Sequence, residues 1–134
     1  QRTPAHCVAT GKALLSAQPL QALMALPDVL PRFTPKTLVR RADLLAALEK
    51  IRVAGYATNL GEWHAQVGGA AAVIRDHAGR PVAALGLTVP VERLKPEVLR
   101  RYVPRLTAAA DEISRLMGAP AAEASARARD RARV

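Results

Sequence analysis

The stretch GGAAAVIRDHAGRPVAALGLTV, residues 68–89, decides the fold because it contains two predicted strands joined by a short turn. Its two halves, GGAAAVIRD (68–76) and PVAALGLTV (81–89), lack the three- or four-residue apolar spacing of a helix and are predicted to be extended. The connecting residues 77–80, HAGR, contain a glycine and allow a tight turn. The stretch therefore predicts an antiparallel hairpin, and YATNL (56–60) predicts a third strand.

Helices are predicted on the N-terminal side of these strands. From Asp43 onward, LLAALEKIRVAG places Leu44, Leu48 and Ile51 on one face, with Asp43 as the N-cap and Gly55 as the C-terminal stop. Residues 11–26 predict two short helices that meet at Pro19, because proline cannot continue a helix. Three prolines in residues 27–41 predict a loop or an extended connection there.

The C-terminal part predicts one more helix and then a tail. The helix begins at Pro96, and an internal Pro104 is expected to kink it or divide it in two. Three strands with flanking helices make an α+β domain over residues 1–118, while the Ala- and Arg-rich residues 119–134 are predicted to be disordered. A three-stranded sheet has an unpaired edge, so we expect further strands or an interface to cover it.

The composition limits the possible classes of protein. The chain has 134 residues, of which 50% are hydrophobic and 3% aromatic, so we expect one domain with a core of Ala, Leu and Val. The net charge of +9 would suit nucleic acid, but the basic residues are interleaved with acids and not with aromatics. A basic nucleic-acid-binding module is therefore kept only as an alternative. No apolar run is long enough for a membrane span, and a single cysteine allows no internal disulfide, which agrees with a cytoplasmic protein.

The segment AHCVATGKALLSAQ, residues 5–18, gathers residue types that can perform chemistry. It is not a phosphate-binding loop, because His6 stands at the position of that loop's first glycine and Ala13 at the position of its hydroxyl. Cys7 with His6 or His64 leaves a small thiol hydrolase as a second alternative, although a buried, unreactive cysteine is commoner. We expect neither a metal nor another cofactor, since the nearest ligand set matches no closed metal site; that set is Glu62, His64, Asp76 and His77.

Three segments occur in the order and at the spacing of a known family. They are PAHCVATGKALLSA (4–17), the stretch from Thr37 to Gly55 that continues through LEKIRVAGYATNLGE (48–62), and AAAVIRDHAGRPVAALGLTVPVERL (70–94). Together they resemble the effector-binding domain of the IclR family of bacterial transcription regulators. The resemblance implies a GAF-like or profilin-like antiparallel sheet flanked by helices, with its first strands absent from this chain. It also implies a non-enzymatic homodimer or homotetramer that reads DNA through a separate N-terminal winged helix-turn-helix.

The resemblance further implies a pocket for a small organic acid. In the family this pocket borders the turn before the first helix, where unpaired N–H groups and the positive end of the helix dipole can hold a carboxylate. Gly69 and Gly86 are smaller than the residues of many members, so we expect a wide cavity and an effector larger than a two- or three-carbon keto acid, such as an aromatic or branched carboxylate. The positions that correspond to the pocket are Ala9, Thr10, Gly11, Asn59, Val67, Gly69, Gly86 and Thr88.

Three further residues near this predicted pocket have roles that the sequence leaves open. Trp63 is expected close to the pocket, whereas Lys12 lies inside the first helix and is not expected to touch the ligand. Glu62 is expected either to cap or position the loop that follows it or to border the pocket. Closure of residues 59–69 over the ligand would provide an element with two states, which allosteric coupling requires.

Overall fold

The computed structural model describes residues 2–120 and shows a three-stranded antiparallel sheet with helices on both faces, which confirms the α+β prediction. The strands lie in the order β1-β2-β3, so β1 and β3 are the edges of the described sheet. Whether further strands or an interface cover those edges stays a prediction. The elements are α1 (Ala9–Ser16), α2 (Leu20–Met24), α3 (Arg41–Ala54), β1 (Ala57–Leu60), β2 (Val67–Arg75), β3 (Pro81–Pro90) and α4 (Pro96–Leu116).

The predicted hairpin is confirmed as the pairing of β2 with β3. The strands pair from Val67 opposite Pro90 to Arg75 opposite Pro81, with a register shift next to the turn. Gly79 adopts a φ of 74°, a left-handed conformation that glycine tolerates without steric cost. The turn therefore forms at the only glycine between the two strands.

One face of the sheet is filled by α4. Ala70, Ala72 and Ile74, which alternate along β2, pack against Leu106 and Ala110 of the helix. Alternation places these side chains on the same side of the strand, so β2 presents a continuous apolar surface to α4. These five side chains form one apolar cluster between β2 and α4.

The opposite face of the sheet receives α1. Ala57 of β1 and Ala71 of β2 are fully buried against Ala9 and Ala13 of the helix. Because all four side chains are methyl groups, α1 lies close to the sheet. Beyond this alanine contact, α3 packs its Leu44 and Leu48 onto α2 and the loop that follows α2, where they meet Leu23 and Leu30.

The predicted end of α3 is confirmed, but its predicted N-cap is wrong. Gly55 has a φ of 84° and its N–H donates to the carbonyl of Ile51 at 2.8 Å. Asp43 lies in the first turn, and the N-cap is Arg40, whose backbone is extended. The reason is tertiary, since a bridge to Val29 holds Arg40 extended and the helix can begin directly after it. Apart from this bridge, residues 27–40 form the predicted irregular connection, and residue 41 of the predicted range already belongs to α3.

Pro104 does not divide the final helix, because α4 is one helix on both sides of it, and the alternative that Pro104 kinks the helix stays a prediction. Proline removes one intrahelical donor. Leu99 before it and Ile113 after it pack against the same cluster on the sheet, so burial supports both halves. The hydroxyl of Thr107 also donates to the carbonyls of Val103 and Pro104, at 3.0 and 3.2 Å.

Two other predictions concern the ends of the chain. The break at Pro19 is confirmed, because this residue is the N-cap of α2. The predicted disorder falls mainly on residues 121–134, which lie outside the described residues, so the division into a domain and a tail stays a prediction. Within the part that the structure describes, none of the helices is both long enough and apolar enough to cross a bilayer.

Candidate functional site

A cavity of about 220 Å³ lies where the start of α1 meets one end of the sheet. Seven of the eight predicted pocket positions line it: Ala9, Thr10, Asn59, Val67, Gly69, Gly86 and Thr88. Asn59, Gly69 and Thr88 stand opposite one another in a single row across the three strands. The eighth position, Gly11, does not line the cavity. A side chain there would collide with the backbone of Ala5, so Gly11 serves the packing of the turn before α1.

The first turn of α1 offers unpaired backbone donors to this cavity. Val8 is the N-cap with extended φ and ψ of −125° and 148°, and it provides no side-chain cap. The first intrahelical bond runs from Lys12 N to Val8 O at 2.9 Å. The N–H groups of Ala9, Thr10 and Gly11 precede that bond and have no intrahelical acceptor. Together with the helix dipole they favour a negatively charged group at this end.

Asn59 supplies a second donor from the sheet. Its side chain is buried, with the residue only 5% exposed, and its Oδ1 accepts a hydrogen bond from Glu62 N at 2.8 Å. That bond orients the amide, and its Nδ2 group has no hydrogen-bond partner among residues 2–120. An amide nitrogen carries two N–H donors, and this one is not among the fully buried polar atoms of residues 2–120 that lack a partner, so it is accessible to a ligand. Asn59 therefore has unused donors beside the cavity.

Glu62 and Lys12 form a buried ion pair next to the cavity wall. Lys12 Nζ lies 2.8 Å from both Oε1 and Oε2 of Glu62, and the two side chains are 6% and 11% exposed. Neither residue lines the cavity. Of the two roles that the sequence left open for Glu62, the structure supports the positioning of the loop. The expectation that Lys12 stays off the cavity agrees with this geometry.

The two glycines of the pocket do more than widen it. A Cβ on Gly86 would lie 2.8 Å from Cγ2 of Thr10, so the space left by the missing side chain is partly filled by the threonine methyl. A Cβ on Gly69 would lie 2.8 Å from the carbonyl oxygen of Leu87. Both glycines thus also allow close approach of neighbouring atoms, and the expectation that their small size widens the cavity stays a prediction.

The loop between β1 and β2 adds two aromatic rings to the lining. Trp63 borders the cavity, as predicted, and its ring centroid lies 4.3 Å from that of His64, which also lines it. Thr34 and Thr37 hold this loop from outside by donating their hydroxyls to the carbonyls of Gly61 and Glu62, at 2.7 and 2.6 Å. His64 had been considered only as a base or metal ligand, so its place in the lining was missed. Thr3 and Val8 were also missed.

The structure disfavours Cys7 as a nucleophile. The thiol is fully buried, and burial together with the charge of Glu62 raises its pKa to about 11, against a smaller opposite effect of Lys12. The neighbouring His6 is engaged elsewhere, since its Nε2 lies 2.9 Å from the carbonyl oxygen of Pro31 and donates to it. A reactive cysteine needs a depressed pKa and a nearby base. Among residues 2–120, no group of three or more His, Cys, Asp and Glu could hold a metal ion.

A cavity lined by backbone and amide donors together with apolar side chains is suited to a small-molecule ligand. Residues 1–115 match the model of the bacterial transcriptional regulator IclR C-terminal family. The chain belongs to this family and is an effector-binding domain of the IclR type.

Known relatives agree with this assignment. The chain is 33% identical over 123 residues to the HTH-type transcriptional regulator XynR of Escherichia coli, and the match covers 90% of the chain and 49% of XynR. It thus spans about half the length of that relative. The C-terminal domain of E. coli KdgR superposes with a TM-score of 0.79 at 30% identity, covering 88% of this chain and 73% of that one. A double mutant of the inducer-binding domain of PobR from Acinetobacter, in complex with 3-hydroxybenzoic acid, superposes with a TM-score of 0.75 at 28% identity. The match covers 85% of this chain and 67% of that one.

Proposed function

We propose that this chain senses a small organic acid whose carboxylate binds at the first turn of α1. The observation that supports this most directly is the convergence of unused donors from two elements. The N–H groups that begin α1 approach the cavity from one side, and Nδ2 of Asn59 approaches it from the sheet. Hydrogen bonds to an ionised acceptor are stronger than neutral ones. A carboxylate satisfies both sets of donors without any cationic side chain.

The cavity also indicates the size and character of the acid. Its volume of about 220 Å³ exceeds the roughly 150 Å³ of an engineered apolar cavity that binds benzene. Val8, Val67 and the ring of Trp63 supply apolar surface away from the donors. An aromatic or branched carboxylate would place its charge on the α1 turn and its hydrocarbon part against these walls. The 3-hydroxybenzoic acid held by the PobR domain is an acid of this kind.

The bound acid would control DNA binding by another part of the regulator. We infer that a separate N-terminal winged helix-turn-helix reads the operator in the cytoplasm and that the regulator works as a homodimer or homotetramer. Coupling requires the acid to bind one quaternary arrangement better than another, by about 1–3 kcal/mol. The loop that contains Trp63 closes one side of the cavity and is the element whose position the ligand would change.

A titration of the 134-residue chain tests the proposal. Trp63 is its single tryptophan and borders the cavity, so its fluorescence reports binding at that site. Benzoate and 3-methylbutanoate should give saturable changes, glyoxylate and pyruvate much weaker ones, and benzamide, which lacks the charge, none at the same concentration. Equal responses to benzoate and benzamide would contradict the carboxylate site. Tight binding of glyoxylate or pyruvate alone would contradict the inferred size.

A further inference from the structure

The two sets of donors at the cavity belong to segments that are far apart in the chain, and one ion pair joins them. Lys12 lies on α1 two residues after Thr10, and Glu62 lies in the loop three residues after Asn59. Their side chains meet in a two-pronged contact of 2.8 Å to each carboxylate oxygen, almost entirely out of solvent. This contact therefore links the first turns of α1 directly to the loop that follows β1.

Glu62 also controls the direction of the Asn59 amide. Its backbone N–H donates to Asn59 Oδ1 at 2.8 Å, which directs the Nδ2 group away from Glu62. Its carboxylate accepts a longer bond from Leu60 N at 3.4 Å, and its carbonyl accepts the hydroxyl of Thr37 at 2.6 Å. Backbone and side chain of one residue thus hold the loop, the amide and the helix together.

We propose that Lys12 and Glu62 are positioning residues for the acid site: they set the spacing and direction of the donors without touching the ligand. The inference rests on the function proposed above. A buried ion pair contributes little net stability, because the cost of removing two charges from water offsets their attraction. A role in holding one arrangement of the site accounts better for a pair in this place than a role in stability.

Replacing both residues tests this inference without leaving an unpaired charge. Single variants bury a lone charge and are expected to unfold. The double variant Lys12→Met/Glu62→Leu removes both charges with side chains of similar volume, so its Tm should stay close to that of the parent. Arg80→Gln, which breaks the more exposed ion pair with Asp76 at the β2–β3 turn, is the matched control.

Benzoate and benzamide are the probes, with Trp63 fluorescence as the readout. The double variant should lose at least about tenfold of the preference for benzoate, roughly 1.4 kcal/mol, whereas Arg80→Gln should keep it. In ¹⁵N–¹H spectra the two side-chain amide protons of Asn59 should be well separated in the parent and the control and should converge in the double variant. A merely structural pair would change Tm and leave both readouts unaltered.

The outcomes separate the two proposals. If the parent prefers benzoate and a folded double variant keeps that preference, the positioning role is wrong while the acid site stands. If the parent binds none of the acids, the proposed function fails, and the Asn59 amide signals then decide the positioning role alone. Unchanged signals in the double variant would overturn it.

Discussion

The two ends of the sheet each have a short polar side chain that organises a turn, and they use it differently. At the hairpin end, Asp76 accepts hydrogen bonds from Ala78 N and Arg80 N through Oδ1 and from Arg80 Nε through Oδ2, at 2.9, 3.0 and 2.9 Å. At the cavity end, Asn59 accepts one bond from Glu62 N and leaves its donors unused. Both residues are more than nine-tenths buried.

This difference separates a structural polar group from a binding one. Asp76 has internal partners for its charge, so the hairpin closes on itself and needs nothing from outside. Asn59 lies beside a cavity of ligand size with its amide directed by Glu62 and unpaired. Among residues 2–120, the side-chain polar atom that is fully buried without a partner is Arg75 Nε, so Asn59 Nδ2 keeps some accessible surface and can be reached from the cavity. The acid proposed above would supply an acceptor for these donors.

The largest expected effect comes from exchanging the donor of Asn59 for an acceptor. Asn59→Asp keeps an oxygen for Glu62 N but places a negative charge where the carboxylate of the ligand should bind. Like charges in contact cost several kcal/mol, so we expect a loss of about 3 kcal/mol, more than a hundredfold in Kd for benzoate. Titration by Trp63 fluorescence measures it.

The control for Asn59→Asp is the opposite exchange, from aspartate to asparagine, at the hairpin end. Asp76→Asn alters one atom in a residue of the same size, and the affinity for benzoate should not change. If both variants bind benzoate like the parent, the contrast between the two ends has no functional meaning. If Asn59→Asp binds more tightly, the ligand donates to this residue and is not an anion there.

The next largest effect is on the reactivity of Cys7, whose buried thiol is influenced by the charges of Glu62 and Lys12. Because burial raises its pKa from 9.0 to about 11, the thiolate fraction near pH 8 falls about a hundredfold. The folded chain should react with iodoacetamide slower by that factor than the same chain unfolded in urea. Fast alkylation of the folded chain at neutral pH would contradict this expectation and would favour the alternative that Cys7 is the nucleophile of a thiol hydrolase.

Much of the fold could be predicted because its causes are local. The β2–β3 turn follows from Gly79 among four connecting residues, and the end of α3 follows from Gly55, since both need a positive φ. The start of α3 could not be placed in this way. Its position depends on the bridge between Val29 and Arg40, a tertiary contact that outweighs the local capping preference of Asp43.

The candidate site, like the fold, has features that the sequence predicts and features that depend on tertiary contacts. Seven of its positions followed from resemblance to a family, and alternation along the strands explains why Gly86 and Thr88 share a face. The pairing of Lys12 with Glu62 joins residues 50 positions apart, and no spacing rule connects them. The contact of Gly86 with Thr10 was missed for the same reason, because the sequence does not show how closely α1 approaches β3.

The close approach of α1 to β3 at Gly86 predicts a smaller effect on benzoate binding. In Gly86→Ala the new methyl would lie 2.8 Å from Cγ2 of Thr10, so the Thr10 side chain must move or displace the α1 turn with it. Overpacking of this kind costs about 1–3 kcal/mol in stability, and we expect the displaced α1 turn to weaken benzoate binding about tenfold. Thr10→Ser removes that methyl and keeps the hydroxyl. The double variant should therefore recover stability in urea unfolding, and additive losses would show that the two residues do not press on each other.

The smallest expected effect is a pH-dependent change in Tm when Asp76 at the hairpin end is replaced. Burial opposes ionisation of Asp76, but the hydrogen bonds from Arg80 and Ala78 outweigh it, so its pKa lies below the ordinary value of 3.8. A carboxyl whose pKa is lowered by folding stabilises the fold above its unfolded pKa, and that stability is lost as the pH falls through the folded value. Asp76→Asn should therefore have a slightly lower Tm than the parent at pH 7, with the difference in Tm closing at pH values below the folded pKa.

Arg80 is exposed, so added salt should also reduce the difference in Tm between the variant and the parent. A gap that is the same at every pH would mean that shape, not charge, holds the turn, and the contrast with Asn59 would then rest on the unused donors alone.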